Sequence, residues 1–315
     1  MRAVVVGAGA VGVRAARQLL FLGDVDSLVV VEPKRGRLDA VVQSLGRPAT
    51  AASDLDGAAK DANVVILAGP RGHRAAAETA LDHGASVVSV SDDVDDVRDL
   101  LALDAEAVER GLHVVVGAGF SPGLSCLLAA LAARTFEHVE EVHVAKVGAG
   151  GPACAGQHHV ALQGPAVEGG PGTWLRRRGG SGRALIWFPD PVGGVDCYRA
   201  ALPEPLLLAP AFPAAQRVTA RVGANRRDRL TAHLPMLRRP HPEGSLGAVD
   251  RPAVAAGAVL ALAARWAVDG RLTRTGAGGL ATLADPGPFL AALADRGVKA
   301  AIFEGAGASA SANQA

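Results

Sequence analysis

One short segment, Val4-Val5-Val6-Gly7-Ala8-Gly9-Ala10-Val11-Gly12, constrains this chain more than any other. Three β-branched residues read as a buried strand. The Gly-x-Gly-x-x-Gly turn after them opens onto a helical pattern with Ala15, Ala16, Leu19 and Leu20 on one side, ending at Gly23. In a strand–turn–helix of this kind Gly7 permits the tight turn, Gly9 lets the backbone approach a pyrophosphate, and Gly12 lets helix and strand pack closely. Ala8, Ala10 and Val11 complete the turn. The helix start offers unpaired N–H groups and a positive dipole end to phosphates. Glu32 follows 20 residues after Gly12, at the end of the next apolar run, where a carboxylate accepts hydrogen bonds from ribose hydroxyls.

The same rhythm continues. Apolar runs at Ala3–Val6, Leu28–Val31, Val64–Ala68, Ser86–Val90 and His113–Val116 alternate with helical patterns at Val13–Leu22, Arg37–Leu45, Arg74–His83 and Val94–Arg110. A sixth, weaker strand is expected at Ala49–Ala52. Strands that are apolar throughout are covered on both faces, and this alternation implies right-handed, parallel βαβ units. The expected fold class is therefore α/β: a Rossmann doubly wound parallel sheet over 1–122, then a second α+β substrate or dimerisation domain over 123–252. In that second domain Val139–Lys146, Ala184–Phe188 and Arg217–Val222 read as strands, and the glycine-rich stretch 147–183 reads as loops. Helices at Ala253–Ala267 and Pro288–Ala294 and a strand at Val298–Phe303 are expected to pack back on the first domain. The small, polar residues 305–315 read as a disordered tail.

Ligands bind at the carboxyl edge of such sheets. Three turns leave that edge: Gly69, Pro70 and His73 lie in one, Ser91-Asp92 in the second, and Gly119, Ser121 and Pro122 in the third. Ser121 reads as an N-cap, with Pro122 in the first helical turn. The implied cofactor is NAD or NADP. Glu32 repels a 2′-phosphate and favours NAD, whereas Lys34 and Arg35 beside it could bind that phosphate.

Composition narrows the rest. With 32 basic and 31 acidic residues the chain has no basic excess, so no nucleic-acid partner is expected. The apolar run Ala253–Ala264 is too short for a bilayer, which needs about 20 residues, so no membrane partner is expected either. Cys126, Cys154 and Cys197 are odd in number and far apart. They match neither a disulfide framework nor a metal site, and a reducing, cytoplasmic setting follows.

At Gly7–Gly12, Gly69–His73 and above all Gly119-Phe120-Ser121-Pro122-Gly123-Leu124, the chain resembles the saccharopine dehydrogenase-like oxidoreductases. The last segment is similar to the family's G-x-x-P-G-L, and Phe188–Gly193 and Pro203-Glu204-Pro205 resemble its second-domain loops. The resemblance implies a two-domain NAD(P)-dependent enzyme transferring hydride at a C–N bond of an amine or amino-acid substrate. The polar groups with which saccharopine-type enzymes handle several carboxylates do not align with the Gly- and Arg-rich stretch 147–183.

Hydride transfer to an imine needs orientation and one proton donor. Lys146 at a strand end, and His158 and His159 in the following loop, are the catalytic candidates. Arg176, Arg177 and Arg199 are candidate carboxylate ligands, and Cys126 and Tyr198 read as packing. Two other readings remain: a transferase that uses bound NAD internally without net redox, and a non-catalytic dinucleotide-binding protein. A homodimer is expected, since two-fold dimers are the commonest oligomers.

Overall fold

The computed structural model describes residues 1–69, 72–148, 152–170, 172–189, 192–224, 245–248, 252–298 and 300–303, without the side chains of 152–156, 245–248 and 300–303. The first part of the chain alternates as its pattern requires: β1 (Arg2–Val6), α1 (Ala10–Leu22), β2 (Ser27–Val31), α2 (Arg35–Leu45), β3 (Ala49–Ala52), α3 (Leu55–Ala59), β4 (Val64–Leu67), α4 (Arg74–Asp82), β5 (Ser86–Ser89), α5 (Val94–Leu101), α6 (Asp104–Glu109) and β6 (His113–Val115). Next come α7 (Leu124–Ala133), β7 (Glu141–Lys146), α8 (Pro152–Gln163), β8 (Ala166–Gly170), β9 (Thr173–Arg177), β10 (Ala184–Phe188), β11 (Gly193–Arg199), α9 (Glu204–Leu208) and β12 (Arg217–Gly223). The chain closes with β13 (Ser245–Ala248), α10 (Pro252–Val268), β14 (Gly276–Gly278), α11 (Leu280–Leu283), α12 (Pro286–Ala294) and β15 (Ala300–Phe303).

Seven parallel strands form the main sheet in the order β14-β6-β5-β4-β1-β2-β3. Both faces are covered. Val5, Val64, Ile66, Val88 and Val115 meet α1 and α10 on one side, while Val4, Val65, Leu67, Val87 and Val114 meet α4, α5 and α6 on the other. Each such side chain, fully buried, stabilises the fold by about 1.5–3 kcal/mol, which is why these strands carry no polar alternation. Strand order reverses between β1 and β4, so their carboxyl ends open a crevice where the glycine turn sits.

Helix α10 returns to this unit from the far end of the chain. Its Gly257 lies so close to α1 that a Cβ there would come within 2.6 Å of the Arg14 Cβ. Glycine at the crossing is what lets the two helices touch. Strand β14, a Gly-Ala-Gly segment without a strand-like pattern, adds the seventh strand beside β6.

The second sheet runs β10-β11-β12-β8-β9, with β7 parallel to β12 and the other ladders antiparallel. Val142, Val144, Val218, Ala220 and Val222 fill one face, against α8 and the first unit. A third, two-stranded sheet pairs β13 with β15.

Three expectations are corrected. The stretch 147–183 is not all loop: 152–163 forms α8, which buries Ala161, and 166–170 and 173–177 form β8 and β9. The helix expected over Val94–Arg110 is two helices broken at Ala102–Leu103, a break that buries both Leu100 and Leu103. Ser121 does not cap α7. Gly123, at φ +121°, holds that place because a Cβ there would come within 2.3 Å of the Gly119 carbonyl oxygen. Residues 305–315, expected as a tail, lie outside the described residues.

Candidate active site

The glycine turn is built as its spacing requires. Gly7 has φ +102° and donates its N–H to the Val31 carbonyl at 2.8 Å. A Cβ on Gly12 would lie 1.9 Å from the Gly7 carbonyl oxygen, so only glycine fits between helix and strand. At Gly9, by contrast, nothing stands within 4 Å of a Cβ position. Gly9 is the N-cap of α1 and supplies no side-chain cap, leaving the first-turn N–H groups of Ala10, Val11 and Gly12 for an external acceptor.

Glu32 is buried beside this turn. Its Oε2 accepts the Ala8 N–H at 3.0 Å and its Oε1 the Lys34 N–H at 3.2 Å, with the Arg37 guanidinium 3.9 Å away. Two backbone donors fix the carboxylate, and each oxygen keeps a lone pair for a hydroxyl. Lys34 caps α2 and Arg35 begins it, both exposed next to Glu32. An open glycine edge, an uncapped helix start and a fixed carboxylate together fit a dinucleotide. Residues Gly7–Gly12 would hold its phosphates and Glu32 a ribose.

In the β4–α4 turn Pro70 lies outside the described residues. Gly69 touches both neighbours: its backbone N is 3.2 Å from where a Gly7 Cβ would be, and its own Cβ position is 3.4 Å from the His73 Nε2. His73 is buried behind it. Its N–H donates to Asp96 Oδ1 at 2.8 Å, and its Nδ1 pairs with the Ser89 hydroxyl at 2.8 Å. Burial lowers the imidazole pKa below its ordinary value, against the opposing pull of Asp96 and the Gly69 backbone. His73 therefore reaches the crevice through Gly69.

The third turn places Gly119 against Val90, and its N–H donates to the Pro122 carbonyl at 2.9 Å. Pro122 itself packs against Gly117. Ser121 faces two ways. Its hydroxyl donates to Glu204 Oε1, a carboxylate fully enclosed at the start of α9. Its carbonyl accepts the Lys146 ammonium at 3.1 Å. Cys126 is core, its thiol pushed up to about 12 by burial and by Glu204.

A cleft of about 260 Å³ lies between the segment that follows β5 and the second unit. Asp92, Asp93, Asp95 and Arg98 line it from the first unit, and Lys146, Gln157, His158 and Arg176 from the second. Lys146 lies 4.0 Å from Asp92 Oδ2, and Gln157 donates to Asp92 Oδ1 at 3.0 Å. Lys146 and His158 are thus brought together. His159 is exposed on α8 and meets Gln163 at 2.9 Å, and it is not among the lining residues. Arg176 lines the cleft, whereas Arg199 and Arg177 bind the buried Glu168 at 2.5 and 3.6 Å. Burial raises the Glu168 pKa, but the hydrogen bond and charge of Arg199 outweigh it and leave it lowered. Tyr198 is buried packing.

The turn holding Asp92 was expected at the ligand-binding edge of the sheet, whereas Gln157 was not singled out by sequence. Four aspartates crowd positions 92–96, and only geometry shows that Asp92 is the one that meets Lys146 and Gln157. Glu204 stood in a recognised motif, but nothing local tied it to Ser121, 83 residues away in sequence.

Comparisons with known proteins bear on the fold. A family model described as NADP oxidoreductase, coenzyme F420-dependent, matches residues 2–93. No curated protein matches. Among solved structures, apo saccharopine dehydrogenase (L-Glu forming) from Saccharomyces cerevisiae is 15% identical, covering 96% of this chain and 99% of that one at a TM-score of 0.68. GenD2 from gentamicin A biosynthesis, solved with NAD, is 19% identical and covers 71% and 65% at a TM-score of 0.43. Over the 96% of the chain that the match covers, the fold is like that of saccharopine dehydrogenase.

Proposed function

We propose that this chain is an NAD(P)-dependent oxidoreductase that transfers hydride at a C–N bond of an amine or amino-acid-like substrate. The observation that carries the reading is the meeting of Lys146 and His158 with Asp92 in one cleft at the carboxyl edge of the sheet bearing the dinucleotide turn. A bound nicotinamide supplies or accepts the hydride. The chain's own residues do the rest. Residues Gly7–Gly12 and Glu32 hold the cofactor at phosphates and ribose, with Glu32 favouring NAD. Gly69, with His73 behind it, and Gly119, Ser121 and Pro122 shape the far end of the groove. Lys146, held on the Ser121 carbonyl, hands a proton to the substrate nitrogen, with His158 the alternative donor and His159 further out on the same helix. Arg176 receives a substrate carboxylate.

The reading includes a division near residue 122 between a dinucleotide unit and a substrate unit. It also places the chain in the cytoplasm, supported by the free, buried thiols of Cys126 and Cys197, and takes it to be a homodimer. The test is a titration with NADH and NADPH followed by Trp fluorescence, then an amine and keto-acid screen with the tighter cofactor. Saturable binding and turnover are expected. Binding of neither cofactor overturns the reading.

A further inference from the structure

The second sheet has two unlike faces. Val142, Val144, Val218, Ala220 and Val222 fill one. The residues that alternate with them on β7 and β12, namely Glu141, His143, Arg217, Thr219 and Arg221, point to the other. Val167 and Arg176 line the cleft, so their chain neighbours Glu168 and Arg177 also stand on the face turned away from it.

On that face Arg199 of β11 is the cross-strand partner of Arg221 on β12, and like charges directly opposite destabilise a sheet. Of the two, Arg199 has a carboxylate. Its Nε donates to Oε1 of the buried Glu168 at 2.5 Å, and the Arg177 Nε reaches Oε2 of the same group at 3.6 Å. Arg221, half-buried, donates to the Gly182 carbonyl and has no carboxylate at ion-pair distance among the described residues. Arg217 lies 3.4 Å from Glu141, and its Nε is enclosed without an acceptor. Burial and the charges of Arg199 and Arg217 lower the Arg221 pKa in spite of Glu168. Four guanidiniums thus share two carboxylates, Glu168 and Glu141, and two positive charges are left over. Sequences break a local rule of this kind at functional sites.

We propose that this face binds a phosphate dianion, as the free ion or as the phosphoryl group of a small molecule, held by Arg221 and Arg217 with Arg199 and Arg177 beside them. Charge selects the ligand. The surplus of two positive charges matches the roughly two negative charges of a phosphoryl group at neutral pH, whereas a single carboxylate neutralises half of it. Shape agrees, since planar guanidinium forks pair with phosphate oxygens two at a time. The Gly182 carbonyl and Glu168 hold two of the forks in place before the anion arrives. The site is separate from the glycine turn and lies across the sheet from Lys146 and Arg176.

The test is calorimetric titration of the full chain with sodium phosphate at constant ionic strength, with NADH present to fill the glycine turn, compared with Arg221→Gln. Saturable binding is expected for the natural chain. In the variant it should be at least about 10-fold weaker, the contribution of one charged hydrogen bond. Sulfate should compete and acetate should not. Displacement by glycerol phosphate assigns the site to a phosphoryl group and its exclusion assigns it to the free ion, and either supports a phosphate site. Thermal unfolding gives a second readout. Without phosphate Arg221→Gln should be at least as stable as the natural chain, because it removes one of two opposed charges, and phosphate should raise the midpoint of the natural chain alone. No saturable binding, equal affinity in Arg221→Gln, equal competition by acetate, or a variant less stable in phosphate-free buffer overturns the proposal.

Discussion

Asp92 and Lys146 come from different sheets and face each other across the cleft, carboxylate Oδ2 to ammonium Nζ, at 4.0 Å. The other aspartates of that loop are engaged closer to home. Asp93 caps α5 through the N–H groups of Asp95 and Asp96, Asp95 binds Arg98 at 3.0 Å, and Asp96 holds the His73 N–H. Asp92 is the one that reaches the second unit, and Gln157 steadies it there. At 4.0 Å the pair is longer than a hydrogen bond, and the direct bond that Lys146 makes is to the Ser121 carbonyl.

If Lys146 is the proton donor, Lys146→Met should lower the turnover of whichever amine the screen identifies by about 10²- to 10⁴-fold, the usual contribution of a positioned acid. NADH affinity should be unchanged, because Lys146 lies away from the glycine turn. Asp92→Asn should cost less and shift the pH profile. Wild-type rates in Lys146→Met, with loss in His158→Ala, would move the role to His158.

Glu32→Gln keeps the shape of the side chain and removes its charge. One amide oxygen can still accept the Ala8 N–H, but its NH₂ then faces the Lys34 N–H, donor against donor. NADH affinity should fall about 10-fold, consistent with ~1.5 kcal/mol for a charged hydrogen bond. NADPH, freed from repulsion, should fall less or improve through Lys34 and Arg35. Direct titration of both cofactors measures the ratio, and an unchanged ratio removes Glu32 from the ribose.

The parallel sheet was legible because its signals are local. Apolar runs, the glycine turn and Gly23 each declare themselves within a few residues, and even the weak strand Ala49–Ala52 lies where its pattern put it. Strand β14 was not legible, since Gly-Ala-Gly has no pattern and is a strand only because β6 offers it an edge. Helix α8 was hidden by the glycines that flank it. In the site the cofactor turn could be read from spacing, whereas the cleft could not. The Ser121–Glu204 bond and the facing of Asp92 toward Lys146 are contacts over long sequence separations that no local signal encodes.

Ser121→Ala should destabilise the fold. Glu204 is fully enclosed, and its Oε2 has no hydrogen-bond partner among the described residues, so the Ser121 hydroxyl is the bond that Oε1 keeps. Removing it leaves a buried carboxylate without a donor, a loss of about 1–3 kcal/mol. Ser121→Thr should retain most of it. Urea unfolding measures both variants, and equal stability of Ser121→Ala with the natural chain would show that Glu204 finds another donor.

Stability should fall as the solution is acidified from neutral, before ordinary carboxylates titrate. Burial lowers the pKa of His73, His113 and His143 below the usual 6.5. Around His73, Asp96 opposes that effect. Around His143, Glu141 opposes it while Arg217 and Arg221 reinforce it. A depressed folded-state pKa means that the unfolded chain binds more protons between the two values, so unfolding free energy rises with pH there. The stability is present above 6.5 and is lost as pH falls from 6.5 through each folded-state value, at most about 1.4 kcal/mol per pH unit for each histidine. His73→Asn should flatten the slope by one histidine's share. Unfolding midpoints between about pH 7.5 and about pH 5.5, one unit either side of the unfolded value, measure it, and a midpoint that rises on acidification would show that the three imidazoles gain partners on protonation.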